Sequence, residues 1–288
     1  MASIRDLLLP VDDMMSIDTA VKEEEEVTKT NGVSETTKFA VEFILDVICP
    51  YCYVGFKNLK AAMETYRARH PDATFEIVCL PFLLHPLAAR SAYDKSDYLI
   101  SRTRSPEYWA SLGEAAGINF AWTGRTGSTR DAHKLLRFAL ERSPTPPRGG
   151  RSGWGAPTPS SSPRPPSTAI NGSTSAHGPA PQLRLLEALF RAHHESDGDI
   201  SDASTLAAIA AATTGFATAH VRRVLVDAGG EWGRAVEALV AQVSSPRGLA
   251  VRAVPTMVVN DRYVIGGVQS AEFLAEEFER IRRGGGAR

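Results

Sequence analysis

The chain has 288 residues, 43% of them hydrophobic and 23% charged, with 33 acidic against 32 basic side chains. A formal net charge of −1 gives no electrostatic reason to expect a nucleic-acid or anionic-lipid partner. No run approaches the roughly 18 to 20 apolar residues of a membrane-spanning helix, residues 7–10 are too short an apolar run for a signal-peptide core, and three cysteines are too few and odd in number for a disulfide framework.

Residues 1–37 hold nine acids, three bases and no aromatic side chain, which reads as a disordered acidic tail of net −6 and leaves the remainder at +5. Residues 39–48 then form a β-rich apolar run with the character of a central strand, ending at Cys49-Pro50. After it Phe56, Leu59, Met63 and Tyr66 recur at spacings of three and four, predicting an amphipathic helix that starts near Pro50, where proline is tolerated as a first helical residue. Residues 74–80 predict a second strand with Phe75, Ile77 and Cys79 on one face.

The middle of the chain is helical by its periodicity. Ala132, Leu135, Leu136, Ala139 and Leu140 form one stripe, Leu185, Leu186, Leu189 and Phe190 a second, and Trp232, Val236, Leu239, Val240 and Val243 a third, with an alanine-rich segment at 206–212 between them. Residues 143–182 interrupt this pattern. They hold ten of the 18 prolines, many Gly and Ser, and almost no large apolar side chain, so they read as a disordered insertion, and 211 residues remain to fold. Toward the end, Thr256-Met257-Val258-Val259 and Tyr263-Val264-Ile265 flank Asn260-Asp261-Arg262 as a hairpin, and a last helix carries Phe273, Leu274, Phe278 and Ile281.

Cys49-Pro50-Tyr51-Cys52 is the strongest local motif. A cysteine between a strand end and a helix start sits where free N–H groups and the helix dipole favour a thiolate, and a second cysteine one helical turn on can close a disulfide with it. Thiol–disulfide exchange needs that asymmetry, an accessible thiol to attack and a nearby one to resolve, so Cys49 is expected to attack and Cys52 to resolve. A zinc site would need two further ligands that the scattered histidines do not offer, and a pair of inert thiols suits an exposed strand-to-helix junction poorly. Cys79 reads as a small core residue. Val254-Pro255, before the hairpin, is unremarkable by local sequence alone.

The segments DVICPYCYVG (46–55) and AVPTMVVNDRYVIGGVQSAEFL (253–274) together resemble the DsbA-like thioredoxin superfamily, specifically its FrnE-like branch of cytoplasmic dithiol oxidoreductases. Two further segments, EAAGINFAWTGRTGSTRDAHKLLRFALE (114–141) and LRLLEALFRAHHESDGDISDASTL (183–206), are similar to that branch's helical region. The resemblance implies an α/β thioredoxin-like fold split by a helical insertion domain: thioredoxin parts at 38–84 and 246–288, and an insertion domain at 85–245 that itself carries the 143–182 segment, either a natural loop or retained intron sequence. It also implies that Val254-Pro255 is a cis bond facing Cys49, with Pro50, Tyr51, Val254 and Pro255 contacting an extended substrate.

His133 is a candidate for a polar residue of the helical cap facing the same groove, against a reading as a locally satisfied helix-edge residue; Thr129 reads as a helix cap, and His193 and His194 as structural cations at a helix end. Ala253, where the family commonly has Gly, and Arg252 before it are expected to narrow the groove or to add positive charge beside the thiolate. The implied activity is thiol–disulfide exchange with protein or peptide substrates in the cytosol, needing no metal or nucleotide, with glutathione as an alternative small co-substrate. Rival readings are a glutathione-binding kappa-type transferase or isomerase, which usually has Ser where this chain has Cys49, and a non-catalytic chaperone-like binding module.

Overall fold

A computed structural model describes residues 37–88, 92–96, 105–141, 177–227 and 230–284. The expected tail at 1–37, except Thr37, and the expected insertion, except its last six residues, lie outside them. Among the described residues no helix is long and apolar enough to cross a membrane.

Strand β1 (Lys38–Leu45) leads through a tight turn into helix α1 (Pro50–Arg69), and β2 (Thr74–Pro81) returns parallel to β1, Phe43 opposite Cys79. Much later come β5 (Thr256–Val259), β6 (Tyr263–Gly266) and α8 (Ala271–Arg282). The sheet order is β2-β1-β5-β6, with β5 antiparallel to both β1 and β6. β1 is therefore central, as its apolar run predicts. It stops at Leu45 and not at Ile48: the backbone turns at Asp46, whose carbonyl accepts the Cys49 N–H at 3.0 Å and whose side chain accepts the Leu84 N–H at 2.8 Å.

Alternation along β1 divides the core in two. Phe39, Val41, Phe43 and Leu45 join the large cluster formed with α1 and α8, and there the rings of Phe39, Tyr66, Phe75 and Phe278 meet at centroid distances of 4.9 to 6.0 Å. Ile44 faces the other way and packs with Leu80, Val258, Val243 and Val251. Glu42 shares that second direction, in register with Val78 and Val258. The hairpin turn forms as predicted, because Asn260 and Asp261 take φ of 52° and 56°, the left-handed values that a type I′ turn demands and that Asn and Asp tolerate. In α8, Leu274, Phe278 and Ile281 are buried, whereas Phe273, expected among them, lies on the outer side.

Between β2 and β5 lie a two-stranded ribbon of β3 (Tyr93–Asp94) and β4 (Arg125–Thr126), and helices α2 (Pro106–Ala116), α3 (Arg130–Leu140), α4 (Pro179–His194), α5 (Ala203–Thr214), α6 (Thr218–Val226) and α7 (Glu231–Ser244). The three apolar stripes read from the sequence fall on α3, α4 and α7. The expected insertion ends earlier than its proline content suggested. Pro179 and Pro181 sit in the first turn of α4, where a missing N–H costs nothing.

Gln182, the last residue assigned to that insertion, is fully buried. Its amide accepts the Cys79 N–H at 2.9 Å and donates to the Cys79 and Leu136 carbonyls at 3.1 and 3.2 Å, so one side chain joins β2, α3 and α4. Gln182→Ala leaves those groups buried without partners and is expected to cost about 1 to 3 kcal/mol, read as a lower urea midpoint; an unchanged midpoint refutes this account of the joint.

Candidate active site

The turn from β1 into α1 places Cys49 at the N-cap of α1, with Pro50 as the first helical residue. Cys49 makes no side-chain capping bond and the first turn of α1 holds no acid. The Cys52 and Tyr53 N–H groups both donate to the Cys49 carbonyl, at 3.0 and 3.3 Å, which starts the helix with Cys52 one turn inside it. Both cysteines, and Cys79, are free thiols.

The junction is less open than the sequence implied: Cys49 is 3% exposed and Cys52 0%. Tyr51 and Val254 pack against the core here, and Tyr51 is held by the Trp109 ring at 4.7 Å and the Tyr108 hydroxyl at 3.3 Å, both from α2. Burial pushes the Cys52 thiol well above the usual thiol range, with further contributions from the Cys49 sulfur and the Asp46 charge; the Asp46 backbone amide opposes them. Burial alone pushes the Cys79 thiol up as well, which suits a core residue.

Val254, 205 positions later, puts its carbonyl oxygen 3.9 Å from Cys49 Sγ, and the Val254-Pro255 bond is cis. The Pro255 ring rests on α1 at Gly55, where an added Cβ would lie 3.0 Å from Pro255 Cγ, so any larger residue would require the ring to shift by a few tenths of an ångström. Behind it the Pro255 carbonyl accepts the Gly267 N–H at 2.8 Å, and Thr256 Oγ1 donates to the Ala253 carbonyl at 2.8 Å. Arg252 does not reach the thiols: its Nη1 donates to the Ser244 carbonyl at the end of α7, at 3.1 Å. Ala253 is exposed beside Val254.

His133 belongs neither to an open groove nor to a helix edge. It is 3% exposed on α3, with Nε2 3.4 Å from Oδ1 of Asp46, itself 1% exposed. His194, from the end of α4, donates Nε2–H to the Val47 carbonyl at 3.0 Å and stacks on Tyr53, so two helices of the insert grip the turn that presents Cys49. His193 and His194 are not cations. Burial holds both low, His194 at about 3, and the charge of Lys95 adds to this. Lys95 is itself buried, with its ammonium on the carbonyls of His193 at 2.5 Å, Ser196 at 3.2 Å and Ala121 at 3.4 Å. Thr129 occupies the N-cap position of α3 without a side-chain capping bond; the nearby Ser128 Oγ accepts the Arg130 N–H at 3.4 Å.

The structure thus brings Cys49, Pro50, Tyr51, Cys52, Val254 and Pro255 together and sets His133 behind them. Asp46, Lys95 and Trp109 were not singled out in the sequence, and His194 was read there as a structural cation at a helix end. Only Asp46 had a signal there, as an acid closing an apolar strand immediately before the cysteines. Among the described residues no three His, Cys, Asp or Glu side chains are grouped as a metal ion requires.

A family model for the DSBA-like thioredoxin domain matches residues 40–147. No curated protein matches the chain. Among solved structures, a probable DsbA oxidoreductase from Streptomyces coelicolor superposes with a TM-score of 0.63 at 21% identity, covering 85% of this chain and 90% of that one. A candidate protein disulfide isomerase from Nitrosomonas europaea gives 0.54 at 15% identity, covering 86% and 100%. The fold is thioredoxin-like, of the DsbA type, with the helical segment inserted between β2 and β5.

Proposed function

We propose that the protein is a thiol–disulfide oxidoreductase of the FrnE-like kind, working in a reducing, cytosolic compartment on protein or peptide thiols and disulfides, or on small thiols such as glutathione. One observation carries this reading: a cysteine at a helix start, with a second cysteine one turn on, lies 3.9 Å from the carbonyl that precedes a cis-proline. Cys49 as thiolate attacks a substrate disulfide and releases one substrate sulfur. Cys52 then attacks Cys49 Sγ, so the Cys49–Cys52 bond forms as the mixed disulfide breaks and the second substrate sulfur leaves. Two electrons pass from the protein to the substrate, and the same steps in reverse oxidise a dithiol. Val254, Pro255, Pro50 and Tyr51 seat the substrate strand beside the sulfur.

The test is a redox titration with thiol alkylation. The expected result is one intramolecular Cys49–Cys52 disulfide with Cys79 left free. If Cys49 and Cys52 stay unpaired across the whole range of redox buffers, the reading is wrong.

A further inference from the structure

The turn that presents Cys49 is closed by its own backbone, the Cys49 N–H on the Asp46 carbonyl at 3.0 Å, with Val47 and Ile48 at its centre. Both central residues are buried, at 0% and 2% exposure, so the Val47 carbonyl is out of reach of water. Among the described residues its one hydrogen-bond donor is His194 Nε2 at 3.0 Å, from a residue 147 positions away. A buried carbonyl that loses its donor turns toward another, and the turn moves with it.

His194 is itself held from several sides. Its ring stacks on Tyr53 at 5.7 Å and meets the Phe120 ring edge-on at 5.9 Å. Its own carbonyl accepts the Ala121 N–H at 2.7 Å, and the Lys95 ammonium gathers the His193, Ser196 and Ala121 carbonyls around the same helix end. Facing a carbonyl, Nε2 must carry a hydrogen. Burial, with the Lys95 charge adding to it, keeps a second proton off the ring at neutral pH. His194 is therefore a neutral donor in a fixed place.

The two cysteines are held differently. Cys52 lies inside α1 and is fixed by the helix, whereas Cys49 stands at the N-cap with φ −83° and ψ 112° and takes its place from the turn. A disulfide admits only a narrow range of separations between its two residues. A turn that already keeps Cys49 within that range leaves less freedom to lose when the bond closes, which raises the effective concentration of one thiol at the other.

We propose that His194 is a positioning residue that sets the balance between dithiol and disulfide: by holding the Val47 carbonyl it keeps Cys49 where the Cys49–Cys52 bond needs it, and so favours the disulfide. This rests on the dithiol reading above and concerns its equilibrium. Against oxidised glutathione, the Cys49–Cys52 bond forms as the glutathione disulfide breaks, and two electrons and two protons pass from the protein to two molecules of reduced glutathione. The helical insert thereby acts on the thioredoxin part through one side chain at the end of α4.

The experiment equilibrates the full chain with mixtures of reduced and oxidised glutathione, alkylates the free thiols and weighs the products. His194→Leu removes the donor and is expected to lower the equilibrium constant for the Cys49–Cys52 disulfide by about tenfold, a reduction potential about 30 mV higher. His194→Gln places an amide N–H where the imidazole Nε2–H stood and should stay within about threefold of the unaltered protein. Urea titrations of both redox forms of His194→Leu complete the cycle, and the disulfide form should lose more stability than the dithiol form. An unchanged constant in His194→Leu, an equal loss of stability in its two forms, or a His194→Gln variant as impaired as His194→Leu overturns the proposal.

Should His194→Leu fail to fold, the unaltered protein still decides. Coupling is reciprocal, so a bond that favours the disulfide is itself tightened by it. Exchange of the His194 Nε2–H with solvent, followed by NMR, should be at least about threefold slower in the disulfide form than in the dithiol form. Equal exchange in both forms overturns the proposal. Absence of any Cys49–Cys52 disulfide in the unaltered protein refutes the dithiol reading instead, so the two failures are distinguishable.

Discussion

Replacing Cys49 by Ser is expected to slow thiol–disulfide exchange by about a thousandfold or more, because a hydroxyl is a far weaker nucleophile than a thiolate and cannot form the disulfide. Cys52→Ser should behave differently. Cys49 keeps its place beside the Val254 carbonyl, so the first attack survives and the reaction arrests as a mixed disulfide. Release of a chromogenic aromatic thiol from its disulfide measures the first step, and the mass of the trapped adduct measures the second. Equal, complete loss of the first step in both variants would contradict the division of labour between the two sulfurs.

Glu42 gives the second large effect, on stability. It is 8% exposed on the sheet face that carries Ile44 and Val258, and its Oε1 has no hydrogen-bond partner among the described residues. Burial, and secondarily the charge of Asp261, push its carboxyl up to about 7. The unfolded chain releases this proton near the ordinary carboxylate value, whereas the folded protein keeps it until about 7. The group therefore does not weaken the fold below the unfolded value, lowers stability progressively as pH rises through that interval, and has its full cost above 7.

Glu42→Leu, between Val78 and Val258 on the neighbouring strands, should raise stability at pH 8 by about 2 kcal/mol and by less at pH 5. Glu42→Gln should remove the pH dependence while retaining the polar atoms. Urea titrations at the two pH values decide it; parallel stability profiles for the three proteins would show that Glu42 does not titrate as described.

The elements legible in the sequence were those with local causes. The β1 run, the α1 stripe starting at Pro50, the hairpin around Asn260 and Asp261, and the cysteine spacing are each written within a few consecutive residues. Val254-Pro255 carried no local signal and was placed by resemblance alone. Pairings across long separations left no such mark: Gln182 with Cys79 is 103 positions apart and His133 with Asp46 is 87. A single polar residue within an apolar stripe looks the same whether it is a satisfied core residue or one half of a buried pair. His193 and His194 show the same limit. Their place near a helix end suggested cations, but burial and a neighbouring ammonium decide otherwise, and neither can be counted from the local sequence.

The Gln182 amide also constrains how such a chain can be shortened. β2 is an outer strand, and at Cys79 its outward N–H and carbonyl meet a side chain that imitates another strand. A reduced protein keeping only β1–α1–β2 and β5–β6–α8 would retain every strand of the sheet yet leave that ladder open to a second copy of itself. Such a minimal thioredoxin unit should assemble with rising concentration in size-exclusion chromatography. In this chain the helical segment takes the place that a neighbouring molecule would otherwise fill.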